Sequence, residues 1–266
     1  MAIKIILSDI DGTFLRRDKS VPELHARAAK EIVAQGLKFV LVSARMPEAI
    51  YPITDALGLP RIPVISYSGA LVLTEAEKIL HDKKMPAADT AQILAEMDAR
   101  WQDISVNYYT GRKWYVRAID ARVQREIDIT QATAEIADFE KLQRDGIFPS
   151  KILVMCEPAV CEEMERELQK FSRLNVVRSA PHLLEIMDKS VSKAVGIEIL
   201  LKHYGLTADE AIAFGDNYND IEMLEYIPQS VAMGNAPEKI LKIASAVTDS
   251  SEDSGIYNYL AKIGVL

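Results

Sequence analysis

The 266-residue chain holds only two cysteines, Cys156 and Cys161. Two thiols cannot form a disulfide framework, and they lack the His or Cys companions of a zinc site. They read as reduced thiols packed in or near a core. Long apolar runs are missing too: no stretch approaches the ~18 consecutive apolar residues of a membrane span. The first apolar run, Ile5–Leu7, is too short for the h-region of a secretory signal and meets acid at once. Basic residues are in the minority, 31 Lys and Arg against 39 Asp and Glu, and they are scattered singly instead of forming a stripe. That distribution argues against nucleic acid as the main partner. These absences point to a cytoplasmic, reducing environment with no membrane involvement. They set no oligomeric state.

What is present is a globular composition, 49% hydrophobic and 26% charged. Residues 3 to 8 (IKIILS) pattern as a short buried strand, Pro22 to Gln35 as a helix with Gly36 as its stop, and "LKFVLVS" as a second buried strand ending at Ser43. A helix from Pro47 to Leu57 and the strand "IPVISY" continue the alternation, which predicts a parallel sheet covered on both faces. After Gly69 the character changes. "ALVLTEAEKILHD" reads as a hairpin, and short alternating strands and helices follow, with a helix expected from Val160 to Phe171. The strand-helix rhythm resumes after Ser192 with "AIAF", "GDNYND" and "SVAMG". The expected fold is α/β: a doubly wound, Rossmann-like parallel-sheet core (1–84 and 188–266) with an inserted α+β cap domain (85–187).

Open parallel sheets bind ligands beyond the carboxyl ends of their strands. Four stretches put polar groups there or at a helix start: Asp9 and Asp11 in "DIDGT", Ser43, Lys193, and Asp216, Asn219 and Asp220 in "GDNYND". Carboxylates ending a buried strand cost desolvation energy unless a cation compensates them. Asp9, Asp11 and Asp216 are too few for an all-protein calcium cage and suit a Mg²⁺ that keeps waters and a substrate phosphate. The competing account makes such aspartates helix caps or turn residues, with most force for Asp220 just before "IEML". For a phosphate, Ser43 offers a hydroxyl, Lys193 a positive charge, and the backbone N–H groups around Ile10 to Gly12 and at Ala44 a cradle. A lone lysine at a helix start otherwise reads as a solvated charge.

"DIDGT" (9–13), "LVSAR" ending at 45, "VSKAVGIEILL" (191–201) and "IAFGDNYNDIEML" (212–224), followed by "VAMGNA" (231–236), resemble the ordered motifs of the haloacid dehalogenase-like phosphohydrolases. More narrowly they resemble the Cof-type sugar-phosphatase subgroup, whose large α/β cap sits between the second and third motifs. The resemblance implies an Mg²⁺-dependent phosphatase acting on a small phosphorylated metabolite, most plausibly a sugar phosphate. It implies Asp9 as nucleophile, Asp11 as the acid that protonates the leaving oxygen and then activates water, and Mg²⁺ on Asp9, the Asp11 backbone carbonyl and Asp216. Ser43 and Lys193 would bind phosphoryl oxygens, Asn219 would help position them, and Asp220 would support the metal shell or Lys193.

Ala44 and Ala194 stand where the family favours Gly, and Ser68 where the subgroup tends to Asn. These departures bear on substrate preference. In the insertion, Tyr108, Tyr109, Arg112, Lys113, Trp114, Arg178 and His182 are candidates for substrate contact, with core packing or solvated surface as the competing account. His25, His81 and His203 are expected to be surface or core residues without a chemical role. Three other functions remain as alternatives: a phosphomutase on sugar phosphates, a signalling receiver domain, and a non-enzymatic metabolite-binding module on the same fold. Receivers lack Asp-x-Asp-Gly-Thr and a large cap. A binding module is expected to lose Asp9, Asp11 or Lys193, and all three are present.

Overall fold

The computed structural model describes residues 2–266. In chain order the elements are β1 (Ile5–Ser8), α1 (Glu23–Ala34), β2 (Lys38–Val42), α2 (Pro47–Ala56), β3 (Val64–Ser66), β4 (Leu71–Leu73) and β5 (Ile79–Asp82). Next come α3 (Ala87–Arg100), β6 (Ser105–Thr110), β7 (Lys113–Val116), α4 (Ala121–Thr130), β8 (Glu135–Ile136), α5 (Phe139–Arg144) and β9 (Lys151–Met155). Then follow α6 (Pro158–Leu168), β10 (Leu174–Ala180), β11 (Leu183–Asp188), α7 (Lys193–Tyr204), β12 (Ala211–Gly215) and α8 (Ile221–Tyr226). The chain closes with β13 (Gln229–Ala232), α9 (Glu238–Ile243), β14 (Ala246–Val247) and α10 (Gly255–Lys262). Two compact units result: one runs through Arg45 and includes Ile50–His81 and Ser192–Leu266, the other comprises Met46–Ala49 and Asp82–Val191. Among the described residues no helix is long and apolar enough to cross a membrane.

The first unit is built on an eight-stranded sheet of order β14-β13-β12-β1-β2-β3-β4-β5. Pairing is parallel from β14 through β3, and β4 turns back antiparallel to β3. The strands read as continuous apolar runs because both faces are covered. On one face Ile5, Leu7, Val40 and Val42 pack with Ile197, Leu200 and Leu201 of α7 and Met223 of α8. On the other, Phe39 meets Phe14 (ring centroids 5.3 Å apart) and Phe214 meets Tyr259 of α10 edge-on. The strand order reverses between β1 and β12, and the crevice beyond their carboxyl ends is where this architecture places ligands.

His25, on α1, ties the loop after β1 to the C-terminal helix. Its Nε2 faces the Ile256 N–H (3.2 Å), a group that can only donate, so Nδ1 carries the proton and donates to the Phe14 carbonyl (3.0 Å). Burial pushes this imidazole down to about 4, from 6.5. The unfolded chain therefore takes up a proton at higher pH than the folded one. Stability from His25 is complete above about pH 6.5 and falls as the pH drops toward 4, by about 2 kcal/mol at pH 5. Urea midpoints at pH 7.5 and 5.0 check this: His25→Leu should lower both but reduce the gap between them, and an unchanged gap would contradict the assignment.

The second unit carries a six-stranded sheet of order β10-β11-β9-β6-β7-β8, antiparallel except where β8 joins β7. Its core joins Ile93, Leu94 and Met97 of α3 and Cys161, Met164 and Leu168 of α6 to Val106, Tyr108, Ile152 and Val154 of the sheet. Cys156 and Cys161 are free and buried there. The α6 helix starts at Pro158 and ends at Leu168, shifted from the expected Val160–Phe171, because Pro158 sits in the first turn where its missing N–H costs nothing. Tyr108, Tyr109 and Trp114 are packing residues: Tyr109 stacks on Trp114, whose Nε1 donates to Asn107 Oδ1 (3.0 Å), and the Tyr108 hydroxyl donates to the Ile147 carbonyl (2.7 Å). Arg112, Lys113 and His182 are exposed, and Arg178 pairs with Glu162 and Glu165.

Candidate active site

β1 delivers Asp9 to its carboxyl end, and β12, its parallel neighbour, delivers Asp216 to the same end. The loop after β1 turns tightly. Phe14 N–H donates to the Asp9 carbonyl (3.2 Å), and Gly12 takes a φ of +89°. Only glycine fits there: a Cβ on Gly12 would lie 2.4 Å from Asp216 Oδ2. Thr13, fully buried, donates its hydroxyl to Asp216 Oδ1 (2.7 Å).

Lys193 opens α7, with Ser192 as the N-cap whose hydroxyl accepts from the Val195 N–H. A cation at the positive end of a helix is electrostatically unfavourable. Here the ammonium is buried and donates to Asp9 Oδ1 and to Asp220 Oδ1, both at 2.5 Å. The helix reaches this position through two glycines. A Cβ on Gly69 would lie 2.0 Å from the Ser192 carbonyl oxygen, and one on Gly196 would lie 2.9 Å from the Gly69 Cα.

Asp220 is fully buried and does not cap α8 with its side chain. Its carboxylate turns back instead: Oδ2 accepts from the Asp216 and Asn217 N–H groups (2.9 Å each) while Oδ1 takes Lys193. Asn219 is exposed on the single 3₁₀ turn Tyr218–Asp220, outside this bonded cluster.

Asp11, two residues from Asp9, sits in a different setting. Arg45 grips it with Nε (2.9 Å) and Nη2 (2.6 Å), and Lys19 Nζ adds a third bond at 2.8 Å. Burial acts to raise its pKa, but the Arg45 and Lys19 bonds outweigh it and hold the carboxyl below the ordinary range. Ser43 is buried at the end of β2 with its Oγ accepting from the Arg45 N–H (3.2 Å). Ala44 is absent from the positive-φ residues, so its methyl group carries no backbone penalty, whereas Tyr67 and Ser68 both adopt left-handed φ (50° and 52°) ahead of Gly69. The Ser68 N–H donates to the Ser43 carbonyl (2.9 Å), which places that strained turn against the second motif.

Asp9, Asp216 and Asp220 each offer a carboxylate oxygen within 4.8 Å of the others. Three carboxylates share one ammonium, and in this buried place ionising all of them is costly. Burial pushes Asp9 up to about 8 against the pull of Lys193, and burial with the nearby Asp220 pushes Asp216 up to about 6 despite the Thr13 bond. Asp220 is fully enclosed, with Oδ1 on the ammonium and Oδ2 on two backbone N–H groups, whereas Asp9 and Asp216 keep some exposure and are the carboxylates suited to a hard divalent cation. The donor set is all oxygen, as Mg²⁺ prefers.

Composition and spacing brought Asp9, Asp216, Lys193 and Asp220 forward. They did not bring forward Arg45, Lys19, Thr13 as a partner of Asp216, or Asn235, which donates to the Gly12 carbonyl and to Asp216. The quoted stretches "LVSAR" and "VAMGNA" contain Arg45 and Asn235, and that was the available signal.

Residues 6–260 match the haloacid dehalogenase-like hydrolase family. A Haemophilus influenzae protein named "Putative phosphatase" is 32% identical over 258 residues, covering 96% of each chain. The crystal structure of a haloacid dehalogenase-like hydrolase from Bacteroides thetaiotaomicron superposes with a TM-score of 0.87 at 27% identity, covering 98% of this chain and 99% of that one. The subclass IIB sugar phosphatase BT4131 shares the fold, with a TM-score of 0.82 at 22% identity over 99% of this chain and all of that one. With its site residues at the carboxyl ends of β1 and β12, this chain belongs to the haloacid dehalogenase-like hydrolases, in their Cof-type group, and is a phosphatase.

Proposed function

We propose that this phosphatase hydrolyses a small phosphorylated metabolite, a sugar phosphate, with Asp9 as the group that takes the phosphoryl and with Mg²⁺ as cofactor. The observation that carries the reading is the buried Asp9–Lys193–Asp220 chain at the end of β1, with Asp216 beside it. An Asp9 carboxylate oxygen attacks phosphorus, the bond from phosphorus to the leaving oxygen breaks, and Asp11 gives that oxygen a proton. Water then attacks the phosphorus of the aspartyl phosphate, Asp11 takes the water's proton, and phosphate leaves Asp9. Lys193 and Ser43 hold phosphoryl oxygens, with the backbone around Ile10, Gly12 and Ala44 and the Asn219 side chain completing the cradle. Mg²⁺ would sit on the Asp9 and Asp216 carboxylates and the Asp11 carbonyl oxygen, and when bound it supplies positive charge to the phosphoryl oxygens.

Held ionised by Arg45 and Lys19, Asp11 is set for its role as base. To carry the proton for the first step it must loosen from those two cations. The sugar-phosphate part of the reading draws on the fold shared with BT4131, and a cap at 85–187 would supply the substrate contacts. The free, buried Cys156 and Cys161 support a cytoplasmic setting.

Phosphate release measured across phosphorylated sugars, nucleotides and cofactors, with Mg²⁺ and with EDTA, tests the proposal. Sugar monophosphates should release phosphate at rates that EDTA reduces by about a hundredfold or more. Transfer to a second sugar without free phosphate would mark a phosphomutase, and activity indifferent to EDTA would remove the cation from the reading.

A further inference from the structure

We propose that Asn235 is a positioning residue for the cation, locking the Asp216 carboxylate to the loop that carries Asp9. The inference rests on the cation reading above. Asn235 follows β13 in a turn held by Met233 N–H on the Gly215 carbonyl (3.0 Å) and Ala236 N–H on the Met233 carbonyl (2.9 Å). From there its side chain makes three hydrogen bonds. Nδ2 donates to the Gly12 carbonyl (2.9 Å) and to Asp216 Oδ2 (3.3 Å), and Oδ1 accepts from the Ser251 N–H (2.9 Å).

The direction of the amide is settled by its partners. The Ser251 N–H can only donate, so the oxygen end of the amide must face it. The NH₂ end then meets two groups that can only accept, the Gly12 carbonyl and the ionised Asp216. A flipped amide would set oxygen against oxygen on one side and N–H against N–H on the other.

Asp216 is thus held from both sides, Oδ1 by the Thr13 hydroxyl and Oδ2 by Asn235. Thr13 ties the β1 loop to the carboxylate at the end of β12 directly, and Asn235 adds a second tie from outside both loops, one NH₂ group bridging the Gly12 carbonyl and Asp216. The two loops that would supply the cation's ligands are pinned at a fixed separation by a residue from a third strand end. Ser251, nearly fully buried, anchors that residue in turn. Groups that orient a metal-binding carboxylate in this way typically contribute ten- to hundredfold to metal affinity.

The test needs no turnover. Mn²⁺ binding to the whole, substrate-free chain is followed by the electron paramagnetic resonance of free Mn²⁺, for the wild type and for Asn235→Ala. The dissociation constant should rise by about tenfold or more in the variant, with the circular dichroism spectrum unchanged. A constant within about twofold of wild type, in a folded variant, overturns the role of Asn235. A wild type that binds no Mn²⁺ overturns the cation reading itself, so the two failures are distinct.

Because Asn235→Ala loses three hydrogen bonds and can fail to fold, a second measurement uses the wild type alone. The Asn235 side-chain amide resonances should move on Mg²⁺ addition, with the same midpoint as the backbone N–H of Asp216. Amide resonances that stay still while Asp216 responds also overturn the proposal.

Discussion

Asp9→Asn is expected to reduce phosphate release by about 10⁴-fold or more while the protein stays folded. The amide matches the carboxylate in size and can still accept the Lys193 bond through its oxygen, so the buried chain to Asp220 survives. What is lost is the anionic oxygen that attacks phosphorus in the proposed mechanism, and no neighbour is placed to replace it. Asp11 is turned toward Arg45 and Lys19, and Asp220 has both oxygens bonded. Freshly purified protein with its mass verified should show a wild-type urea midpoint and a rate near background. A folded variant that keeps a tenth of the wild-type rate would mean that phosphoryl transfer goes directly to water or to another group.

Lys193→Met should be the most destabilising single change in the site. The ammonium is buried between Asp9 and Asp220, themselves buried, and removing it leaves two carboxylates without a counter-charge. Breaking a buried pair from one side costs about 3–5 kcal/mol, which for a chain of this size lowers the melting temperature by roughly 10 °C. The physical cause predicts a reversal. Adding Asp220→Asn removes one of the stranded charges, so the double variant should melt above Lys193→Met alone. If the two losses instead add, the lysine acts by packing, and the electrostatic account is wrong. Neither variant should release phosphate.

Much of the fold was legible because burial on both faces writes itself into the strands as unbroken apolar runs. "IILS" and "KFVLV" became β1 and β2 with no shift in their ends that matters to the site. The carboxylates at the end of β1 were legible for a related reason, since charge there conflicts with the run before it. Lys193 was not legible as buried from its own neighbourhood. Its burial depends on Gly69 and Gly196, more than a hundred residues apart in the chain, letting α7 lie against the turn after β3. Arg45 on Asp11 and Asn235 on Gly12 were hidden for the same reason: side-chain partners across loops carry no periodicity. The aromatic residues of β6 and β7 show the reverse case. Tyr108, Tyr109 and Trp114 looked available because they fall at strand ends or turns of the insertion, but the fold spends the Tyr108 hydroxyl on Ile147 and the Trp114 N–H on Asn107 and stacks Tyr109 on Trp114.

The central place of β1 has a consequence during synthesis. β2 leaves the ribosome soon after β1 and can pair with it early, but the other neighbour of β1, β12, begins only at Ala211. Until then one edge of β1 offers unpaired N–H and C=O groups, the template on which nascent chains stick to one another. The long stretch Asp82–Val191 lies between and makes its own sheet. It can fold while β1 waits, which separates the first strand from its partner in time as well as in sequence. Asp9 and Asp216 come together only when β1 pairs with β12, so the onset of phosphatase activity times the closing of that pairing.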